Sequence, residues 1–205
     1  MVVRPMFPLG LVHFPHVGLP LRVFEPRYRQ LTIDCLDGDG TFGVVLIERG
    51  HEVGGGDSRF RVGTLTTIVE AGVGGDGLIH LDTRGVGRIR IRRWLDDAPY
   101  PRAEVVDLPE PSVGAAEAAL FESVERRVRR ALALRSELAE PAAPHNLVLD
   151  PDPARALFQL AAIAPLGPVD HQRVLEAEAA SDLLGTLGSL IDEELDVLAS
   201  RLAGH

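Results

Sequence analysis

Between Met6 and Leu108 the apolar residues recur mostly at every second position, and clusters of glycine break the alternation at intervals. A period of two sends successive side chains to opposite faces of an extended chain, so the pattern predicts strands over residues 6–9, 19–24, 41–47, 62–71, 78–84, 87–95 and 102–108. Short strands separated by turn signals point to a barrel or a sandwich. One helix interrupts the series. Pro26 suits a first helical position, where its missing N–H has no partner to lose, and the Glu25 carboxylate before it is placed to accept free N–H groups. Tyr28, Leu31, Cys35 and Leu36 then share a face, and the run Asp37, Gly38, Asp39, Gly40 predicts the stop.

Two prolines, Pro109 and Pro111, break the alternation, and beyond them the period becomes 3.6. The expected division is a β-rich part over residues 1–109 and a helical bundle over residues 110–205. In the second part, Ser112 is a candidate cap for a helix with Leu120, Phe121, Val124, Val128, Ala131 and Leu132 along one side. On its other side Glu122 with Arg126 and Glu125 with Arg129 stand four apart, pairs worth only about 0.2–0.5 kcal/mol each. That identifies a solvated helix face. A proline-rich link over residues 141–152 leads to a short helix capped by Asp152, a second begins at Pro168, and Ser181 caps the last. In that last helix Leu184, Leu187, Ile191, Leu195, Leu198 and Leu202 recur three or four apart, and Gly185 and Gly188 weaken the case for a dimer zipper over packing within the chain.

Composition narrows the function classes. The 205 residues are 45% hydrophobic, enough for a packed core, and no apolar run approaches the roughly 18 residues of a membrane span. A lone cysteine, Cys35, forms no internal disulfide, and the chain shows no cationic leader before an apolar core, so a cytoplasmic protein is expected. The net charge of -9 is uneven: residues 1–109 carry -1 and residues 110–205 carry -8. A polyanion is repelled overall, which argues against a nucleic-acid partner, and an aromatic content of 5% leaves few rings for base stacking. All 21 cationic residues are arginine. Without lysine there is no phosphate-loop lysine, no Ser-Lys dyad and no Schiff-base chemistry.

The remaining candidates for chemistry are weak. Gly54, Gly55 and Gly56 lead toward a strand, not a helix N-terminus, and read as a hairpin loop. His13 with His16, and His51 with Glu52 and Asp57, lack the three or four ligands on rigid elements that a metal needs, so neither metal nor cofactor is expected. No Gly-x-Ser-x-Gly elbow is present, and a small hydrolase has no motif behind it. The most suggestive polar pattern is Arg88, Ile89, Arg90, Ile91, Arg92, Arg93, Trp94, which places Arg88, Arg90 and Arg92 on one strand face. If residues 78–84 and 87–95 form a hairpin about Val86, Arg84 faces Arg88, Asp82 faces Arg90 and His80 faces Arg92. Such a strip, flanked by Trp94, would suit acidic peptides or phosphates, or would be neutralised by carboxylates such as Glu104.

The stretch FPLGLVHFP at Phe7 to Pro15, the strand LPLRVF at Leu19 to Phe24, the block Phe24, Glu25, Pro26, Arg27, Tyr28, the run Phe42 to Ile47, the triplet Gly63, Thr64, Leu65 and the Gly-x-Gly-Arg-Ile-Arg-Ile segment from Gly85 together resemble the N-terminal substrate-binding domain of Lon proteases. The resemblance implies an α+β fold, with a β-rich PUA-like pseudo-barrel holding one inserted helix and an α-helical bundle after it. It implies binding of protein or peptide segments, such as unfolded clients for a separate protease, and supplies no catalytic residues. The ATPase and protease modules of a full Lon protease do not fit within 205 residues. RNA binding is the alternative that a PUA-like architecture suggests. The binding surface is expected to include the residue 11–17 loop, exposed and centred on His13, Phe14 and His16, or the strip of Arg88, Arg90, Arg92 and Trp94.

Overall fold

The structure is a computed structural model and describes residues 1–49 and 58–203. The chain divides into two compact units, Met1–Glu110 and Pro111–His205. Among the described residues the first contains six strands and one helix: β1 Val2–Leu9, β2 Gly18–Val23, α1 Pro26–Asp37, β3 Thr41–Arg49, β4 Ser58–Val73, β5 Ile79–Leu95 and β6 Arg102–Asp107. The sheet runs β2-β5-β4-β3-β1-β6, and β5 also pairs with β6. That extra pairing closes five of the strands into a ring and leaves β2 alongside it, an incomplete barrel. β1 and β3 are parallel, with Met6 beside Gly43 and Leu9 beside Leu46, because the chain between them crosses over through β2 and α1.

The expected hairpin about Val86 does not form. Residues 79–95 are one 17-residue strand, whose first half pairs with β2 and second half with β6 while β4 lies along its other edge. The turn that reverses the chain is instead at Gly74 to Leu78, where the Gly74 N–H donates to the Leu78 carbonyl at 2.9 Å. Gly85 and Gly87 mark no turn: a Cβ on Gly85 would run into the Phe14 carbonyl oxygen, so this glycine admits a crossing loop.

Two of the three strand prolines, Pro8 and Pro20, sit where a backbone N–H would have no ladder partner. The Met6 N–H points away from β3, donating to the Pro101 carbonyl at 2.8 Å, so two residues on Pro8 also points its nitrogen away from β3. Likewise the Val17 carbonyl accepts from Gly85 N–H at 3.0 Å, which directs Leu19, Leu21 and Val23 toward β5 and turns Gly18, Pro20 and Arg22 outward. Pro26 opens α1 as expected, but the Glu25 carboxylate makes no cap. It accepts instead from Arg27 Nε at 3.0 Å. Tyr28, Leu31, Thr32 and Cys35 are buried, whereas Leu36 is exposed.

Two apolar clusters fill the unit. Phe7, Leu9, Val23, Tyr28, Leu31, Phe42 and Leu81 form one beneath α1, and Met6, Val45, Ile89, Ile91, Ala103 and Val105 form the other.

The second unit has four helices: α2 Ala115–Glu137, α3 Pro153–Ile163, α4 Pro168–Glu176 and α5 Ala180–Ala203. Ser112 does not cap α2; Gly114 does, and its N–H donates to Glu117 Oε2 at 3.0 Å. Asp152 caps α3 as expected, accepting from Ala154 and Arg155 N–H. Val124, Val128, Leu132, Leu183, Leu187 and Ile191 are buried where α2 meets α5. There Gly188 has a packing reason: the Arg127 guanidinium lies over it, donating to the Gly188 carbonyl at 3.3 Å and to Asp192 Oδ2 at 2.5 Å.

Candidate functional site

The apolar cleft of the first unit is built from the Phe7 to Tyr28 stretch. It holds about 250 Å³ and is lined by Phe7, Leu9 and Leu11 at the end of β1, by Leu19 to Val23 on β2, and by Phe24, Glu25 and Tyr28 at the start of α1. Alternation on β1 sends Phe7 and Leu9 inward, where the Phe7 ring stacks on Tyr28 with centroids 4.1 Å apart and planes at 13°. The Arg27 guanidinium lies 4.5 Å from the Tyr28 ring centroid. These contacts fix the floor of the cleft. Its lip is different: Phe24 is 54% exposed and Leu11 41% exposed, so large apolar surface faces water there.

The charged groups of the lining are Arg22 and Glu25. Glu25 is held by Arg27, while no ion pair of Arg22 is found among the described residues. The far side of α1 is pinned by Tyr100, whose hydroxyl donates to Asp34 Oδ2 at 2.5 Å. That bond, with one from Gln30, lowers the Asp34 pKa, and burial with the Asp34 contact pushes Tyr100 up to about 12. Burial pushes the Cys35 thiol up to about 12 as well, which makes it a core residue and not a nucleophile.

Of the residue 11–17 loop expected to be exposed, Leu11 is exposed but the centre is packed down. His13 and Phe14 are 4% and 1% exposed, with the His13 carbonyl accepting from Thr64 Oγ1 at 2.5 Å. Burial drops the His13 pKa to about 4, and among the described residues its Nε2 has no hydrogen-bond partner. His16 is half-buried at φ 62° and its Nε2 lies 2.6 Å from Glu110. The loop lies against β4 and β5 because Gly85 lets it approach and Thr64 gives it a donor.

Nor do the arginines make one exposed strip. Arg88 is 3% exposed and donates to the Pro109 carbonyl at 3.0 Å, Arg90 is half-buried, and Arg92 is exposed. Trp94 is half-buried beneath Arg59, 4.6 Å from guanidinium to ring centroid. Glu104 does pair with a neighbouring arginine, Arg93. Sequence reasoning missed the cleft itself, although every wall of it belongs to the stretch that carries the family resemblance; the available signal was Phe24 directly after Val23, an apolar residue where the alternation of Leu19, Leu21 and Val23 calls for a polar one. The glycine run 54–56 and the set His51, Glu52 and Asp57 lie outside the described residues. Among the described residues, no three His, Cys, Asp or Glu side chains gather to hold a metal, and no helix is long and apolar enough to cross a membrane.

A family model described as the ATP-dependent protease La (LON) substrate-binding domain matches residues 3–193. The chain belongs to this family. Among its relatives, the Lon protease of Phenylobacterium zucineum is 30% identical over 93% of this chain and 24% of its own, and that of Desulfovibrio desulfuricans is 29% identical over 94% and 22%. The Lon-family chain thus spans about a quarter of the length of these relatives. A crystal structure of a Lon N-terminal domain protein from Xanthomonas campestris superposes with a TM-score of 0.65, at 27% identity over 91% of this chain and 97% of that one. The N-terminal domain of a Mycobacterium avium complex Lon protease matches in fold, with a TM-score of 0.68 at 16% identity, covering 93% of this chain and 98% of that one.

Proposed function

We propose that this Lon substrate-binding domain acts as a non-catalytic module that takes exposed apolar segments of unfolded proteins into the cleft between β1 and β2 and presents them to a separate protease. The observation that carries the reading is the cleft's lip, where Phe24 and Leu11 leave apolar surface in water above a rigid aromatic floor. The relatives that match are Lon proteases, and the family model that matches this chain is described as a substrate-binding domain. RNA binding gains nothing from the geometry, since Arg88 is buried and Arg93 is paired with Glu104.

Equilibrium binding to reduced, unfolded model proteins tests the reading. Covering the exposed half of a Phe side chain removes on the order of 80–100 Å² from water, about 2 kcal/mol or roughly thirtyfold in Kd. Phe24→Ala is therefore expected to weaken binding by that factor with the melting temperature unchanged. Equal binding by wild type and Phe24→Ala would place the contact elsewhere, and no binding to any unfolded protein would end the reading.

A further inference from the structure

We propose that the cleft selects apolar segments carrying a carboxylate beside the inserted side chain, and that it holds them without adding the ligand to the sheet as a strand. The proposal rests on the peptide-binding reading above and narrows its ligand.

The second half follows from Pro20. Only Gly18, Pro20 and Arg22 turn their backbone groups away from β5, toward the open edge of β2. A strand added at that edge needs alternating donors and acceptors. Pro20, at the centre, has no N–H to give, which leaves the Gly18 and Arg22 donors four residues apart and the ladder broken between them. Recognition then falls to side chains, and a cavity of about 250 Å³ accommodates one large apolar side chain.

The first half follows from charge. Of the two charged groups in the lining, Glu25 is engaged by Arg27 at 3.0 Å. Arg22 is exposed on the same edge and has no ion pair or side-chain hydrogen bond among the described residues; its cross-strand neighbour is His80. A guanidinium next to an apolar slot matches a carboxylate next to an apolar side chain, and a planar fork binds it through two parallel bonds. An α-carboxylate and an Asp or Glu side chain offer the same chemistry.

Four labelled hexapeptides of Gly and Ser containing a single Phe distinguish the sources by fluorescence anisotropy on the full chain. One has Phe followed by Asp with an amidated end, one ends in Phe with a free carboxylate, one has Phe followed by Asn with an amidated end, and the fourth is the Asp peptide N-methylated on both sides of Phe. At least one carboxylate peptide is expected to bind roughly tenfold tighter than the Asn peptide, and the tighter of the two identifies the source. The N-methylated peptide is expected to match its parent. Arg22→Gln should bring the carboxylate peptides down to the affinity of the Asn peptide measured on the same variant, abolishing the roughly tenfold preference. Equal affinity for charged and neutral peptides, or a preference that survives Arg22→Gln, overturns the carboxylate claim and leaves the peptide-binding reading standing. Loss of affinity on N-methylation overturns the strand-free mode, and failure of all four to bind defeats the peptide-binding reading as well.

Discussion

At the scale of single residues, His13 ties the fold to pH. Buried and neutral, it has a folded-state pKa of about 4 against an ordinary 6.5. The unfolded chain therefore binds a proton that the folded one refuses. Above pH 6.5 neither state is protonated and His13 costs nothing. As pH falls from 6.5 toward 4 stability drops, levelling at a loss of about 3 kcal/mol. Urea unfolding across that window should show the slope, and His13→Gln should flatten it in part, His171 being lowered in the same direction by burial. An unchanged slope in the variant would show that His13 is not the group concerned. This residue also marks a limit of reading the sequence. His13 and Phe14 look like exposed loop residues because their neighbours break the alternation. Their burial depends on Thr64, 51 positions after His13, and on the more distant Gly85, and nothing local encodes it.

At the scale of elements, two of the close-packed glycines, Gly85 and Gly188, behave differently. A Cβ on Gly85 meets backbone, the Phe14 carbonyl and the Pro15 Cα, which cannot give way without lifting the loop from the sheet. A Cβ on Gly188 meets the far end of the Arg127 side chain, which can swing aside. Gly85→Ala is therefore expected to destabilise by roughly 2 kcal/mol, in the range of overpacked cores. Gly188→Ala should fall within about 1 kcal/mol of neutral, because the gain in helix propensity offsets the loosened Arg127 contacts. Thermal unfolding of both variants decides it, and equal losses would refute the distinction. Much of the helix and strand pattern was legible: Pro26 and Asp152 start helices where their chemistry predicts, and Leu184, Leu187, Ile191 and Leu198 of α5 are buried as spaced, while Leu195 and Leu202 are half-buried. The false hairpin at Val86 shows the limit. Gly85 and Gly87 look like a turn from sequence alone, because close approach of another segment and reversal of the chain both call for a residue without a side chain.

At the scale of the whole molecule, the division into units with separate cores implies that the cleft is complete within one of them. Residues 1–110 alone are expected to bind the apolar probe peptides with the affinity of the full chain, and residues 111–205 not at all; calorimetric titration of each fragment checks this. The ring of strands has a further consequence for a chain made from its N-terminus. β1 is synthesised before the rest of this unit, yet half of its pairing is with β6, almost a hundred residues later, and among the described residues Val2 and Val3 have no other strand beside them in the register. β2 likewise waits for β5. Until Arg102 to Asp107 exists, the nascent unit is a set of unsatisfied sheet edges, and a synthesis halted before that point leaves a fragment primed to pair with copies of itself. A domain proposed to capture exposed apolar chain must itself pass through a period as such a chain.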